Sequence, residues 1–172
     1  MANNIGVDTL KGSLSNPARS FMWDVVIPVP IGSGAATTYQ IRAQSSVIPG
    51  RSNDAIAIPY KQTAGIQVAG KLVFPHTWTC TFIEGEDKLV FDALHSWQQN
   101  IVNDTFGIGV GEPLYKTDVY ITLLTTAGET FMKIKIKGAW IQNVGDVALA
   151  YADNETIKYS VTFEYDSWED AT

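Results

Sequence analysis

Residues that could carry out catalysis or bind a metal are few in this sequence and lie far apart. The chain contains two histidines, His76 and His95, and one cysteine, Cys80. A transition-metal site needs three or four such ligands close together, so no metal site is predicted. Cys80 alternates with Trp78 and Phe82, with threonines on the opposite side, which is typical of a strand that buries its thiol.

Three further patterns suggest chemistry, but a simpler explanation fits each of them. The glycine-rich residues 107–111 lack the Gly-Lys-Ser/Thr sequence and the following helix of a phosphate-binding loop. Residues 153–155 do not have the spacing of an EF-hand, and a turn explains Asp-Asn equally well. The acidic Glu84, Glu86 and Asp87 suit the positive end of a helix dipole. The sequence therefore predicts no enzyme activity and no cofactor.

The composition indicates one globular domain with a surface that partly avoids water. The chain has 172 residues, of which 45% are hydrophobic and 17% are charged. Typical soluble domains have about 25% charged residues, and interfaces between subunits are depleted in charge. We predict a polar arm at residues 1–20 and one β domain at residues 21–172. Neither a signal peptide nor insertion into a membrane is expected.

Charge is distributed unevenly along the chain. Residues 146–172 contain seven acidic residues and one lysine, so they account for the whole net charge of −6. An acidic chain argues against a protein that holds nucleic acid through its phosphates, since this needs clustered lysine and arginine. The pattern fits a solvated acidic tail, and it equally fits a surface that repels nucleic acid or binds a basic partner.

Alternating apolar and polar residues predict a mainly β protein with antiparallel strands. The glycine-rich residues 103–113 are predicted to form a long loop. One helix is predicted over residues 86–102, with an apolar stripe formed by Leu89, Val90, Ala93, Leu94, Trp97 and Ile101. Strands are predicted at residues 21–30, 39–45, 55–60, 65–72, 77–83, 118–125, 131–137 and 156–165.

The last third of the chain has the clearest strand pattern. In residues 131–137, Met132, Ile134 and Ile136 alternate with three lysines, which indicates a half-buried strand. Residues 156–165 alternate in the same way and present one aromatic and aliphatic face. We expect the two runs to pair as antiparallel neighbours and to bury a common face.

Residues 55–72 form a predicted hairpin with unusually small side chains, because alanine and glycine recur along it. Small residues contribute little core of their own and suit the close approach of another backbone. In a monomer such strands would have exposed edges that pair with other chains. In an oligomer the same edges can form the interface by strand addition.

Several short segments follow one another in a characteristic order along the chain. The upstream segments are VIPG, IPY, GIQVAG and TWT, and the C-terminal ones are KIKIKGAW, NVGD and YADNETIKYSVTFEYDSWE. The similarity that they mark extends over roughly residues 20–170. In this order they resemble the tail tube proteins of contractile-tailed bacteriophages.

The resemblance implies an antiparallel β-sandwich or distorted barrel with one flanking helix, assembling into a ring with a continuous inner β-barrel. Six subunits would form each ring, with four strands apiece in the barrel, and the rings would stack into a hollow tube. Such a barrel of about 24 strands, spaced about 4.8 Å apart, has a backbone diameter of at least roughly 37 Å. That bore is wide enough for duplex DNA.

The same resemblance implies partners and contact residues. The partners would be tail sheath, baseplate and tail terminator proteins, with double-stranded DNA as passing cargo. The protein would be part of the virion after synthesis in the host bacterial cytoplasm. Contacts between rings are expected at Leu10, Leu14, Ile48, Pro49, Gly50, Arg51 and Asp54. The hairpin is expected to line the bore or to join subunits through Ala57, Lys61, Gly65, Gln67, Ala69 and Lys71.

Three lysines conflict with a bore that DNA must pass without sticking. Lys133, Lys135 and Lys137 share one side of a predicted strand. If that side lined the bore, it would form a basic stripe, and each contact between a phosphate and a lysine adds affinity. We therefore expect these lysines to be paired with acids or to face away from the bore.

Two other functions remain open on the sequence. Tubes of phage-derived contractile injection systems and bacterial secretion systems, and tube-initiating baseplate proteins, share the fold that the resemblance implies. A β-sandwich can also bind carbohydrate through exposed aromatic rings. Trp23, Trp78 and Trp97 fall on predicted apolar faces, which leaves Trp140 and Trp168 as candidates for such a site.

Overall fold

A computed structural model describes residues 17–29, 37–39, 42–61, 63–103, 106–150 and 155–172. Sixteen residues of the predicted arm, including Leu10 and Leu14, lie outside these ranges. The described helices are α1 (Leu89–Ile101) and α2 (Glu112–Tyr115). The described strands are β1 (Trp23–Val29), β2 (Thr37–Tyr39), β3 (Ala43–Ser46), β4 (Ser52–Tyr60), β5 (Thr63–Val73), β6 (Thr77–Ile83), β7 (Thr117–Leu124), β8 (Thr130–Val144), β9 (Lys158–Glu164) and β10 (Ser167–Asp170).

Strand β8 connects the two halves of the main sheet. The antiparallel strands follow the order β2-β1-β7-β8-β9-β6-β3, and β10 also pairs with β8. The first part of β8 pairs with β7 and β10, whereas residues 140–144 pair with β9. One half of the sheet therefore consists of β2, β1, β7 and β10, and the other half of β9, β6 and β3. Strands β4 and β5 form a separate two-stranded sheet.

Gly138 lies where β8 changes partners. Its φ of 64° is in the left-handed region, which glycine adopts without steric cost. A Cβ at this position would overlap the carboxylate of Asp166. The N–H of Gly138 donates a hydrogen bond to Oδ1 of Asp118 at 3.1 Å. The glycine thus bends β8 without ending it.

The core is built from both halves of the sheet and from α1. The first half contributes mainly aliphatic side chains and the second half mainly aromatic ones, while α1 buries Val90, Leu94 and Trp97. The ring centroids of Trp97 and Phe163 are 5.8 Å apart, which places α1 against β9. The prediction that Trp78 and Trp97 belong to the core is confirmed, because both are fully buried.

Helix α1 is shorter than its sequence pattern predicts. It begins at Leu89 instead of residue 86, because Lys88 has a φ of 55°, outside the right-handed helical region. It ends at Ile101 instead of residue 102. Leu89, which was predicted to be part of the buried stripe, is the first helical residue and stays exposed.

Three other predicted features were wrong in detail. Residues 39–45 are not one strand, since β2 ends at Tyr39 and pairs with β1, while β3 begins at Ala43 and pairs with β6. Residues 131–137 pair with β7 and β10 instead of β9, because β8 continues past Gly138 before it reaches β9. Helix α2 begins inside the predicted loop 103–113. Pro113 fits its first turn, where a missing N–H leaves no hydrogen bond unmade.

The predicted fold class is confirmed as mainly β, with antiparallel strands and one long flanking helix. The alternation in β8 buries Ile134 and Ile136 and places the lysines on the opposite side. The strands of the described ranges do not close into a barrel within one chain. No described helix has the length and apolar character needed to span a membrane.

Candidate assembly surfaces

The β4–β5 hairpin projects from the domain. Its two strands pair with each other and with no other described strand. Every residue of β4 is exposed to solvent. Both outer edges of the hairpin therefore present backbone N–H and C=O groups that can accept a further strand.

One face of the hairpin is aliphatic. The register sets Ile56 opposite Val68 and Ile58 opposite Ile66, and residues directly opposite each other share a face. These four side chains are 46–65% exposed. Contiguous apolar surface of this kind marks an interaction site in soluble proteins. We call these four residues the aliphatic face.

The other face of the hairpin is small and uncharged. Ala57 lies opposite Gln67, and Ala55 lies opposite Ala69. Gly65 alternates onto the same side as Gln67 and Ala69. Four of the residues predicted for the bore thus share one face, which we call the small face. Of the other two, Lys61 is in the turn, with its Nζ 5.4 Å from the ring centroid of Tyr60, and Lys71 lies in the register shift between the Ala55–Ala69 and Asn53–Leu72 pairs.

Five of the residues predicted for contacts between rings lie at the base of the hairpin, whereas Leu10 and Leu14 lie outside the described residues. Pro49 is buried, whereas Ile48, Gly50 and Arg51 are exposed in the loop that enters β4. Asp54 is exposed within β4 itself. The structure brings these five residues together at one end of the hairpin.

An apolar groove beside this loop was not predicted from the sequence. It has a volume of about 290 Å³ and is lined by Ser20, Trp23, Ser46, Val47, Ile48, Ile121 and Leu123. These side chains come from β1, β3, β7 and two loops, so their proximity depends on long-range pairing. The sign of this groove in the local sequence is the apolar pair Val47 and Ile48, which precedes Pro49 and is exposed.

The lysine side of β8 is largely neutralised. Lys135 Nζ lies 2.9 Å from Oδ2 of Asp118, and Lys137 Nζ lies 2.6 Å from Oε2 of Glu169. Lys133 Nζ lies 4.9 Å from the ring centroid of Tyr120. The expected pairing with acids is confirmed for Lys135 and Lys137. For Lys133 the contact is with an aromatic ring.

The pKa values of this face follow from its ion pairs. Burial opposes the ionisation of Asp118, but hydrogen bonds from Lys135 and from the Gly138 N–H outweigh it and lower the pKa of Asp118. The hydrogen bond to Asp118 raises the pKa of Lys135. Nearby, Lys116 pairs with both Glu112 and Asp166, and these hydrogen bonds raise the pKa of Lys116. The sequence pattern did not predict this second cluster.

The residues first considered for chemistry have structural contacts. Burial raises the pKa of the Cys80 thiol to about 12, so the thiolate that a nucleophile needs is absent near neutral pH. His76 Nδ1 lies 3.0 Å from the carbonyl oxygen of Tyr165, and the ring of His95 stacks on Phe91. Among the described residues, no three His, Cys, Asp or Glu side chains form a group that could hold a metal.

The two tryptophans considered for carbohydrate binding also have protein contacts. Trp140 makes an edge contact with Tyr115, with ring centroids 6.1 Å apart. The guanidinium carbon of Arg51 lies 5.3 Å from the ring centroid of Trp168. A sugar would have to displace Arg51 to stack on that face of Trp168. The geometry therefore favours assembly over recognition of carbohydrate.

A family model described as phage tail tube protein matches residues 22–171. Tail tube protein gp19 of Enterobacteria phage T4 is 32% identical over 107 residues, which is 60% of this chain. The match spans 65% of the length of that relative.

Solved structures of contractile systems share the fold. The tube terminating cap of the anti-feeding prophage aligns with a TM-score of 0.68 and 17% identity, covering 91% of this chain and 92% of the other. A chain of the sheath-tube complex of an extracellular contractile injection system, PVC, aligns with a TM-score of 0.65 and 17% identity, covering 95% and 97%. At these identities the similarity concerns the fold.

Proposed function

Because the chain belongs to the phage tail tube protein family, we propose that it forms the inner tube of a contractile phage tail. Six subunits form a ring, and the rings stack into a hollow conduit through which double-stranded DNA leaves the virion. A sheath surrounds the tube, a baseplate lies at one end and a terminator at the other. The 32% identity to the T4 tail tube protein supports a phage tail over an injection system, whose similar chains are 17% identical.

The observation that carries this proposal is the unsupported β4–β5 hairpin. An isolated two-stranded hairpin is marginally stable in water. Here it also exposes four aliphatic side chains, and neither outer edge pairs with another described strand. A neighbouring subunit that adds its strands to the hairpin satisfies the edges and covers the aliphatic face. In a closed ring every subunit both gives and receives this contact.

Covering the aliphatic face supplies part of the energy that a ring needs. Fully burying a Val or Ile side chain gives about 1.5–3 kcal/mol, so covering four half-exposed ones gives roughly 4 kcal/mol before the costs of association. Backbone hydrogen bonds along the hairpin edge add to this. Each subunit in a closed ring has two neighbours and so takes part in two such contacts.

The two faces of the hairpin suit different surroundings. We assign the aliphatic face to the neighbouring subunit, where water is excluded. The small face, with Ala57, Gly65, Gln67 and Ala69, faces the bore. It carries no cation, so it gives a passing duplex no phosphate contact to adhere to.

Stacking of rings uses the base of the hairpin. Ile48, Gly50, Arg51 and Asp54 are exposed there, and Pro49 holds the loop against the domain. The apolar groove next to Ile48 offers a site for leucine side chains of an adjacent ring. We assign Leu10 and Leu14 of the arm to that contact.

Negative-stain electron microscopy with light scattering tests the proposal. Wild-type protein is expected to form hollow rings and stacked tubes. Ile58→Asp places a charge on the aliphatic face and is expected to give a monomer with an unchanged melting temperature, because Ile58 makes no part of the core. Leu149→Asp is the matched control, since Leu149 is 80% exposed and lies outside the hairpin.

Two results would contradict the proposal. One is a wild-type protein that stays monomeric at every concentration. The other is an Ile58→Asp variant that forms the same rings as wild type, since this would show that the aliphatic face takes no part in assembly.

A further inference from the structure

The base of the β4–β5 hairpin is held by one side chain from the C-terminal strand. The indole Nε1–H of Trp168 donates a hydrogen bond to the carbonyl oxygen of Gly50 at 3.2 Å. Arg51 lies over the indole ring, and the ring of Phe74 meets it edge-on with centroids 6.4 Å apart. Gly50 and Arg51 precede β4, and Phe74 follows β5. One indole therefore contacts both ends of the hairpin.

Trp168 is itself fixed by the main sheet. Strand β10 pairs with β8 so that Trp168 lies opposite the fully buried Ile136. The ion pair between Lys137 and Glu169 joins the same two strands, and the N–H of Ala171 donates to the carbonyl oxygen of Lys133 at 2.7 Å. The position of the indole is thus set by strand pairing close to the core.

Because the hairpin is long, a small change in the angle at which it leaves the domain moves its tip a long way. Strand β4 has nine residues, which at about 3.3 Å per residue gives roughly 30 Å. A rotation of about 10° at the base moves the tip by roughly 5 Å, about one spacing between paired strands. A ring that joins subunits through this hairpin would lose its register with such a rotation. The hairpin pairs with no other described strand that could hold the angle.

We propose that Trp168 is a positioning residue for tube assembly. Its contacts with Gly50, Arg51 and Phe74, which we call the Trp168 clamp, hold the hairpin at the angle at which its aliphatic face meets the next subunit. This inference rests on the proposed function. It assigns to the C-terminal strand a role in assembly that does not require it to touch a neighbouring subunit.

The test separates hairpin orientation from assembly. Spin labels at Lys61→Cys in the hairpin turn and Asp92→Cys on α1 report the angle by pulsed electron paramagnetic resonance below the assembly concentration. Cys80 stays in place because it is buried. Light scattering then gives the critical concentration for assembly, and thermal melting reports the stability of the domain.

With an intact clamp, we expect a narrow distance distribution. Trp168→Ala is expected to broaden it and to raise the critical concentration at least tenfold. Trp168→Phe keeps the ring contacts but not the N–H, and Arg51→Ala removes only the cation over the ring. Both are expected to give intermediate broadening. Arg51→Ala leaves the indole, its hydrogen bond to Gly50 and its contact with Phe74 in place, so it keeps the test valid where Trp168→Ala does not fold.

Trp140→Ala is the matched control, because Trp140 is half-buried and contacts Tyr115 instead of the hairpin. It is expected to lower the melting temperature without broadening the distribution. A narrow distribution in Trp168→Ala, or equal broadening in Trp140→Ala, would overturn the clamp. Failure of the wild type to assemble would overturn the proposed function and with it the role of the clamp in assembly. The distances would still show whether the clamp sets the angle of the hairpin.

Discussion

Tyr165 has a buried phenol whose hydroxyl has no hydrogen-bond partner among the described residues. Burial raises the pKa of this group, and a contact with the backbone of His76, too poorly aligned for a good hydrogen bond, offsets only part of that rise. Leaving a buried hydroxyl unsatisfied costs about 1–3 kcal/mol, and removing the group abolishes that cost. We expect Tyr165→Phe to raise the free energy of unfolding in urea by about 1 kcal/mol.

Tyr159→Phe serves as the control for this prediction, since Tyr159 is only half-buried. It is expected to leave the free energy of unfolding nearly unchanged. A clear loss of stability in Tyr165→Phe would show that the hydroxyl makes a hydrogen bond in solution.

Asp118 gives the native state a dependence on acid pH. Its pKa is lower in the folded chain than in the unfolded one. The ionised carboxylate therefore stabilises the fold above the unfolded pKa of about 3.9, and this contribution disappears as the pH falls through the folded pKa. Asp118→Asn is expected to be less stable than wild type at pH 7, with a difference that shrinks as the pH falls below the unfolded pKa and through the lower folded pKa.

Urea unfolding at a series of pH values measures this difference. Asp146→Asn is a suitable control, because Asp146 is exposed and lies outside the lysine face. A difference between Asp118→Asn and wild type that stays constant from neutral to acid pH would show that the charge of Asp118 has no part in it.

At the scale of elements, helix α1 depends on a residue outside it. Oε1 of Glu84 accepts a hydrogen bond from the N–H of Val90 at 3.2 Å, and Oε2 accepts one from the N–H of Phe91 at 2.7 Å. These N–H groups have no partner within the helix. Glu84→Ala is expected to cost about 1–2 kcal/mol of unfolding free energy.

Glu86→Ala is the matched control for the cap, because Glu86 is an exposed acid two residues away. It is expected to change the unfolding free energy by less than about 0.5 kcal/mol. Equal effects of the two substitutions would show that the local negative charge, and not the two hydrogen bonds, stabilises α1.

Strand β8 depends on one residue within it, Gly138. Alanine at this left-handed position costs about 1–2 kcal/mol from backbone strain alone. A Cβ would also overlap the Asp166 carboxylate. We expect Gly138→Ala to lower the free energy of unfolding by more than Gly128→Ala, because Gly128 has a φ of 82° but open space around it. Similar losses in the two variants would mean that Asp166 moves aside freely.

The elements were predicted from the sequence where their signals are local. The alternation around Ile134 and Ile136 predicted the start of β8, and the recurring alanines and glycines predicted the two strands of the hairpin. The course of β8 through Gly138 and its pairing with β9 depend on tertiary contacts, and glycine normally suggests a strand end. The Trp168 clamp joins residues 118 positions apart, so no sequence window contains it.

For the whole molecule, the arrangement of charge matters more than its sum. The net charge is −6, yet the three lysines of β8 could have formed a basic stripe. Asp118 and Glu169 neutralise two of them, and Tyr120 covers the third. The four residues of the small face need no such neutralisation, because none of them is charged. Its lack of charge can therefore be changed without disturbing any ion pair of the domain.

Adding positive charge to the small face tests whether that face lines the bore. Ala57→Lys with Gln67→Lys places two lysines side by side on the small face, because the two residues are directly opposite. If this face lines the bore, each ring gains a band of cations around the DNA path. Tubes assembled with a short duplex are expected to retain it at about 50 mM salt and to release it by about 200 mM, because salt displaces bound phosphate.

Sedimentation of tubes with labelled DNA measures this retention, and wild-type tubes are expected to pellet without DNA. Ala127→Lys with Ala148→Lys adds the same charge at exposed positions outside the hairpin. If DNA binds that control on the outside of the tube, it is accessible to nuclease, whereas DNA in the bore is protected. Nuclease-sensitive binding in both variants would place the small face on the outside of the tube and require the opposite orientation of the hairpin.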